Sequence, residues 1–110
     1  MFVTKTEPQI SVPATEGTVL TVQGPATAEK HVVLHNLDGA STLTYRFQSS
    51  DDGSTWVDVA ADATLAPGLE LEVELTGATF HRLRASGNLN IAAKVDASVA
   101  FLGTFTFIAS

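Results

Sequence analysis

Three groups of side chains in this sequence are of the types that carry chemistry. His31 and His35 are the first, because two imidazoles four residues apart share one face of a helix and can hold a metal there. Their segment, KHVVLHN, alternates and is β-branched, so it reads as a strand. Four strand residues put the two Cα atoms about 13 Å apart, too far for a shared zinc. Asp51 and Asp52 beside Gly53 are the second group, and they suggest a calcium loop. They lack the regular ligand spacing and terminal bidentate Glu of that loop, and Asp–Gly suits a hairpin turn on backbone grounds alone. The third is Glu70, Glu72 and Glu74 in LELEVEL, a spacing that could pair two catalytic carboxyls. Glycosidases set such a pair about 5–9 Å apart in a cleft that raises one pKa, and nothing in the sequence supplies the cleft.

No nucleophile elbow, HExxH helix, phosphate-gripping glycine loop or dinucleotide fingerprint is present. The reading is therefore a non-catalytic protein with no cofactor and no metal. Six basic residues against twelve acidic ones give a formal charge of −6. That balance argues against a nucleic-acid surface and against docking on anionic lipid. Cysteine is absent, which excludes a disulfide scaffold, and no run is long enough to span a bilayer as a helix. The N-terminal stretch lacks the basic start and apolar run of a signal peptide, so no export is expected.

The elements that must position these groups are strands. Hydrophobic residues make up 45% of the 110, Val and Thr recur, and no window keeps a helical apolar period. Strands are expected at Thr18–Val22, Lys30–Asn36, Thr42–Ser49, Thr55–Val59, Leu69–Leu75, Thr79–Ala85, Asn90–Phe101 and Thr104–Ile108. Residues 1–17, with Pro8 and Pro13, read as an extended arm or irregular edge strand, and residues 18–110 as the domain. The spacing predicts an all-β, antiparallel sandwich of seven to nine strands, with no room for crossover helices.

Within Thr42–Ala60, a three-residue loop Asp51–Asp52–Gly53 with Gly53 at positive φ pairs Arg46 with Asp58 and Phe47 with Val57. Tyr45, Phe47, Val57 and Val59 then face the core, together with Leu71, Val73, Leu83 and Val95. Leu69 and Leu75 also point inward from LELEVEL. Arg46, Gln48, Trp56 and Asp58 form the outer face. An exposed ring among hydrogen-bonding groups can stack on a sugar or anchor a protein contact, so these four residues are the candidate glycan-binding set. Burial of Trp56 under a loop or the arm is the alternative. The last residues carry no charge after Asp96. Phe101, Leu102, Phe105, Phe107 and Ile108, with Phe2, Val3 and Trp56, are the candidate interface.

TYRFQSSDDGSTWVDV resembles the C–C′ hairpin of small immunoglobulin-like domains in tailed-bacteriophage virion proteins. The matching positions are Tyr45, Phe47, Asp52, Gly53, Trp56 and Val59. TFHRLRASG is similar to their F strand, with Leu83 and Ala85 inward and His81 where a corner tyrosine often stands. That departure leaves a jelly roll open as the other topology. Similar hairpins occur in discoidin-like carbohydrate modules and bacterial surface domains. The resemblance implies an immunoglobulin-like antiparallel β-sandwich and a virion structural role. It implies capsid decoration by a homo-oligomer bound to the major capsid protein or another virion protein, assembled in the bacterial host cytoplasm. A tail or baseplate component and a carbohydrate-binding adhesion module are the alternatives.

Overall fold

A computed structural model describes residues 2–98 and 106–109. Among them the chain forms ten strands: β1 (Phe2–Val12), β2 (Gly17–Gln23), β3 (Glu29–Asn36), β4 (Leu43–Ser50), β5 (Val57–Asp58), β6 (Ala63–Leu65), β7 (Glu70–Leu75), β8 (Phe80–Ser86), β9 (Leu89–Ser98) and β10 (Thr106–Ala109). The all-β sandwich read from the sequence is what forms. The segment ahead of residue 17 supplies β1, and a short β6 adds to the strands expected.

The two antiparallel sheets run β1–β9–β3–β7 and β10–β2–β8–β4–β5, with β6 also on β4. Pairs nest like one long ribbon: β1 with β9, β2 with β8, β3 with β7, and β4 with β5 and β6. Rolling that ribbon makes β3 meet β9 and β4 meet β8. The molecule is thus immunoglobulin-like in its two packed antiparallel sheets and a jelly roll in its strand order.

Alternation fills the space between the sheets. Val32 and Leu34 on β3 and Ile91, Ala93 and Val95 on β9 are buried from the first sheet, and Leu83 and Ala85 on β8, flanked by Leu20 and Val22 on β2 and Leu43 and Phe47 on β4, from the second. Tyr45, Leu71 and Val73 pack against this core at its margins, and Tyr45 meets Phe47 edge to face. Asn36 ties the two layers at one end. Its amide donates to the Ser41 and Leu65 carbonyls, and its Oδ1 accepts the Asp38 N–H. The β8–β9 corner needs Gly87 (φ 139°): a Cβ there would meet the Thr42 carbonyl oxygen at 3.0 Å. Pro8 falls where the β1–β9 register slips between Glu7 and Ile10, a bulge that tolerates a missing N–H.

The β4–β5 hairpin differs from expectation. Gly53 does have positive φ (78°), but the ladder pairs Gln48 with Asp58 and Ser49 with Val57, two residues off the expected register. The cause is the loop. Asp52 Oδ1 accepts the Ser54 and Thr55 N–H groups, while Ser50 Oγ accepts those of Asp52 and Gly53. These bonds brace a wide turn from Asp51 to Trp56 and pull the Asp52 carboxyl below its ordinary pKa, Thr55 contributing most. An even shift keeps the faces but shortens the strand. Val57 and Val59 therefore sit at a sheet edge with nothing over them and are exposed rather than core. Leu69, expected inward, lies just ahead of β7 and is also exposed. Gly53→Val is expected to cost about 1–2 kcal/mol in urea unfolding, from the left-handed backbone and the Phe80 ring 3.3 Å from the new Cβ.

Candidate functional site

The outer face of the second sheet carries a continuous polar ladder. β4 and β8 put Arg46 opposite Arg84 and Gln48 opposite Arg82. Two arginines directly across a ladder repel each other. Glu16, in the turn before β2, relieves this: its Oε1 accepts from Arg46 Nη2 (2.6 Å) and Nε (3.0 Å) and from Arg84 Nε (3.2 Å). Asp58 then accepts from Arg46 Nη1 (3.4 Å) and Gln48 Nε2 (2.8 Å), and Gln48 Oε1 accepts from Arg82 Nε (2.7 Å). The Arg82 guanidinium lies 4.2 Å over the half-buried Trp56 ring, a cation–π contact.

Arg46, Gln48, Trp56 and Asp58 thus come together on one face, with Arg46 reaching Asp58 diagonally instead of straight across. Arg82 and Glu16 complete the set and were not singled out from the sequence. The outward parity of Arg82 beside Arg84 was the available signal. One face of the Trp56 ring is already taken, so a sugar has only the other. The hydrogen bond from Arg46, helped by Arg84 and opposed by burial, holds the Glu16 carboxyl below its ordinary value. Arg46→Gln is expected to let it rise, and a carboxyl NMR titration of Glu16 reads that change directly.

Between the sheets lies a second constellation. Lys30 is fully buried and its Nζ donates to the Ala78 (2.7 Å) and Thr79 (3.3 Å) carbonyls, with His81 Nδ1 at 3.1 Å. Among the described residues no carboxylate pairs with it. Burial lowers the Lys30 pKa to about 8. Burial, then the Lys30 charge, lowers that of His81 to about 4, with the Thr76 backbone pulling weakly the other way. Among the described residues His81 Nε2 has no hydrogen-bond partner.

On the outer face of the first sheet, His31 and His35 point away from the core beside the acidic row. His31 Nδ1 is 3.4 Å from Glu72 and its Nε2 3.8 Å from Glu29, while His35 Nδ1 is 3.8 Å from Glu70. Each histidine thus meets carboxylates of its own surroundings. Among the described residues no group of three or more metal-ligating side chains gathers. Arg82 and Arg84 do not neutralise the glutamates, because β8 belongs to the other sheet.

Four of the candidate interface residues lie on one flank, while Trp56 stands beside β5 at the far end of the second sheet. Phe2 and Val3 pair with Ser98 and Ala97 at the end of β1, Phe107 and Ile108 pair with Val22 and Thr21 on β10, and β1 also touches β10. Phe101, Leu102 and Phe105 lie outside the described residues. Among the described residues, four of the five large exposed apolar groups sit at sheet edges, Ile108 (56%) on β10, Val57 (63%) and Val59 (49%) at β5 and Leu69 (55%) beside β7, while Leu37 follows the interior strand β3.

No family model matches the chain, and no curated relative is similar to it in sequence. Among solved structures, it is similar to one described as "Bacillus endospore appendages form a novel family of disulfide-linked pili", with TM-score 0.54 and 13% identity over 90% of this chain and 89% of that one. A Yersinia pseudotuberculosis-derived mitogen aligns over 90% of this chain and 86% of its own, at 16% identity and a TM-score of 0.44. The first likeness is one of fold. It agrees with an antiparallel, two-sheet, all-β domain.

Proposed function

We propose that the chain is a non-catalytic structural subunit that works through protein–protein contacts in a repetitive assembly, and that this assembly is a tailed-phage virion. Capsid decoration by a homo-oligomer is the form we favour; a tail or baseplate position would use the same surfaces. The observation that carries the reading is the distribution of exposed apolar side chains. Val57, Val59, Leu69 and Ile108 border free sheet edges, where a monomer gains nothing from them and a neighbour gains both apolar area and backbone hydrogen bonds.

Three further features support it. The hairpin residues Tyr45, Phe47, Asp52, Gly53, Trp56 and Val59 resemble those of virion immunoglobulin-like domains. The jelly-roll order is one that viral capsid domains also use, which is analogy at the level of fold. The similar appendage structure is itself described as forming pili, which are repetitive assemblies. This chain has no cysteine, so any assembly it builds is held without disulfides.

In this reading copies meet along the flank formed by β1 and β10, through Phe2, Val3, Phe107 and Ile108. Light scattering on the purified chain across a hundredfold concentration range tests it. A mass that rises to a fixed multiple of the protomer is expected. A constant monomer mass, with no retention on phage shells stripped of accessory proteins, would defeat the reading.

A further inference from the structure

The two outer edges of the first sheet are not equivalent. β1 is blunted as an edge: Pro8 removes a donor at its bulge, and Lys5 stands opposite buried Val95, a charge on the core-facing side. β7, at the other end, has neither proline nor lysine between Glu70 and Leu75, and among the described residues no strand lies beyond it. Its backbone groups on that side are a template for another strand.

The two faces of β7 say what that strand would look like. Outward, Glu70, Glu72 and Glu74 are exposed in a row. His31 and His35 touch Glu72 and Glu70 from the β3 side only, and both glutamate side chains remain 66% exposed. Inward, Leu71 and Val73 are only half covered. The reason lies in the other sheet, whose edge beyond β4 is made of two short strands, β5 of two residues and β6 of three. Val57 belongs to the core-facing side there, since it pairs with Ser49, which pairs with buried His81. The Val59 N–H follows on to the Phe47 carbonyl. The mouth between β7 and β5 is therefore apolar, with an acidic border. At one end, between the β4–β5 turn and the β7–β8 turn, lies a mainly polar concavity of about 280 Å³ lined by Ser50, Asp51, Asp52, Thr55, Val57 and Ala78.

We propose that β7 takes up an extended segment of a partner protein as an added strand. Its basic residues, at alternate positions, would face Glu70, Glu72 and Glu74, and the apolar residues between them would close over Leu71, Val73, Val57 and Val59. The inference rests on the reading of the chain as a protein-contact subunit and names the partner's chemistry. Directly opposed side chains in a ladder stand about 5 Å apart, where opposite charges attract and like charges repel. A second copy fits poorly: β7 on β7 sets two glutamate rows against each other, and β1 offers Thr4 and Thr6 outward with Lys5 on the wrong face. The formal charge of −6 works the same way. Strand addition of this kind takes its affinity from main-chain bonds and its specificity from alternate side chains.

The test is a titration of the isotope-labelled full chain with a ten-residue synthetic peptide alternating lysine and valine. Saturable amide shifts along 70–75 are expected, with slowed hydrogen exchange at the β7 amides that point away from β3. A peptide alternating glutamate and valine should bind at least about tenfold more weakly, and Glu70→Lys/Glu72→Lys/Glu74→Lys should reverse that order. If the triple variant does not fold, the two peptides against the natural chain still decide the matter. Equal binding of both peptides, equal binding of one whose lysines and valines are segregated into blocks, or shifts centred on β1, β10 or Trp56 would overturn the inference. A chain that stays monomeric yet takes the lysine peptide at β7 would keep this inference and remove the self-assembly reading. An assembling chain whose β7 amides never respond would do the reverse.

Discussion

Lys30→Met is expected to stabilise the protein by about 2 kcal/mol at pH 7, a direction opposite to most core substitutions. Bringing the ammonium from 10.5 to about 8 works against folding by about 3 kcal/mol at neutral pH. The variant also gives up hydrogen bonds, of which one matters most. The Ala78 carbonyl loses its donor, whereas that of Thr79 keeps the Gly24 N–H at 3.0 Å. An orphaned carbonyl offsets about 1 kcal/mol of the gain.

The pH profile carries the signature. Because the folded Lys30 binds its proton more weakly than the unfolded one, natural-chain stability should rise between about pH 8 and 10.5, and this rise should vanish in Lys30→Met. His81 works at the acid end. Its folded value of about 4 lies below 6.5, so stability is whole above about 6.5 and falls as the pH drops toward 4. Removing Lys30 takes away one of the two causes that lower it, so that acid loss should shrink. Urea midpoints from pH 4 to 10.5 check all three statements. A variant destabilised by 2 kcal/mol or more, with both limbs unchanged, would mean that the hydrogen bonds outweigh the desolvated charge.

Leu83→Ala is expected to cost about 3–5 kcal/mol, with Val57→Ala within about 0.5 kcal/mol of the natural chain. Leu83 is fully buried in the middle of the second sheet, between Leu20 on β2 and Phe47 on β4. A cavity there cannot collapse without moving two ladders. Val57 lies on a two-residue edge strand and is exposed. Equal and large losses at both positions would restore the tighter hairpin register, in which Val57 is core.

The strands were legible because alternation is physical: one parity of each segment must be apolar for the sandwich to close. The same parity already marks Lys30 with Val32 and Leu34, and His81 with Leu83 and Ala85. Two ionisable groups on core parity in separate strands were the readable sign of the buried pair. What the residues could not announce was that the two strands would face each other across the layers. The jelly-roll order is hidden for a similar reason, since short connections suit either topology. The hairpin register missed by two because its turn is set by side-chain oxygens of Ser50 and Asp52, which widen a loop that backbone preference alone would make tight. Of the outer-face ladder, the β4 and β5 members were legible from their parity. Glu16 was not, because a turn residue has no parity to read.

Electron cryomicroscopy of the purified chain, alone and mixed with tailed-phage shells stripped of accessory proteins, decides whether the chain is an assembly subunit. Symmetry-related copies of the sandwich are expected, with the β1–β10 flank buried between neighbours and the Trp56–Arg82 ladder left facing solvent. Bare shells beside a dispersed monomer, with Ile108, Val57, Val59 and Leu69 all open to water, would contradict it.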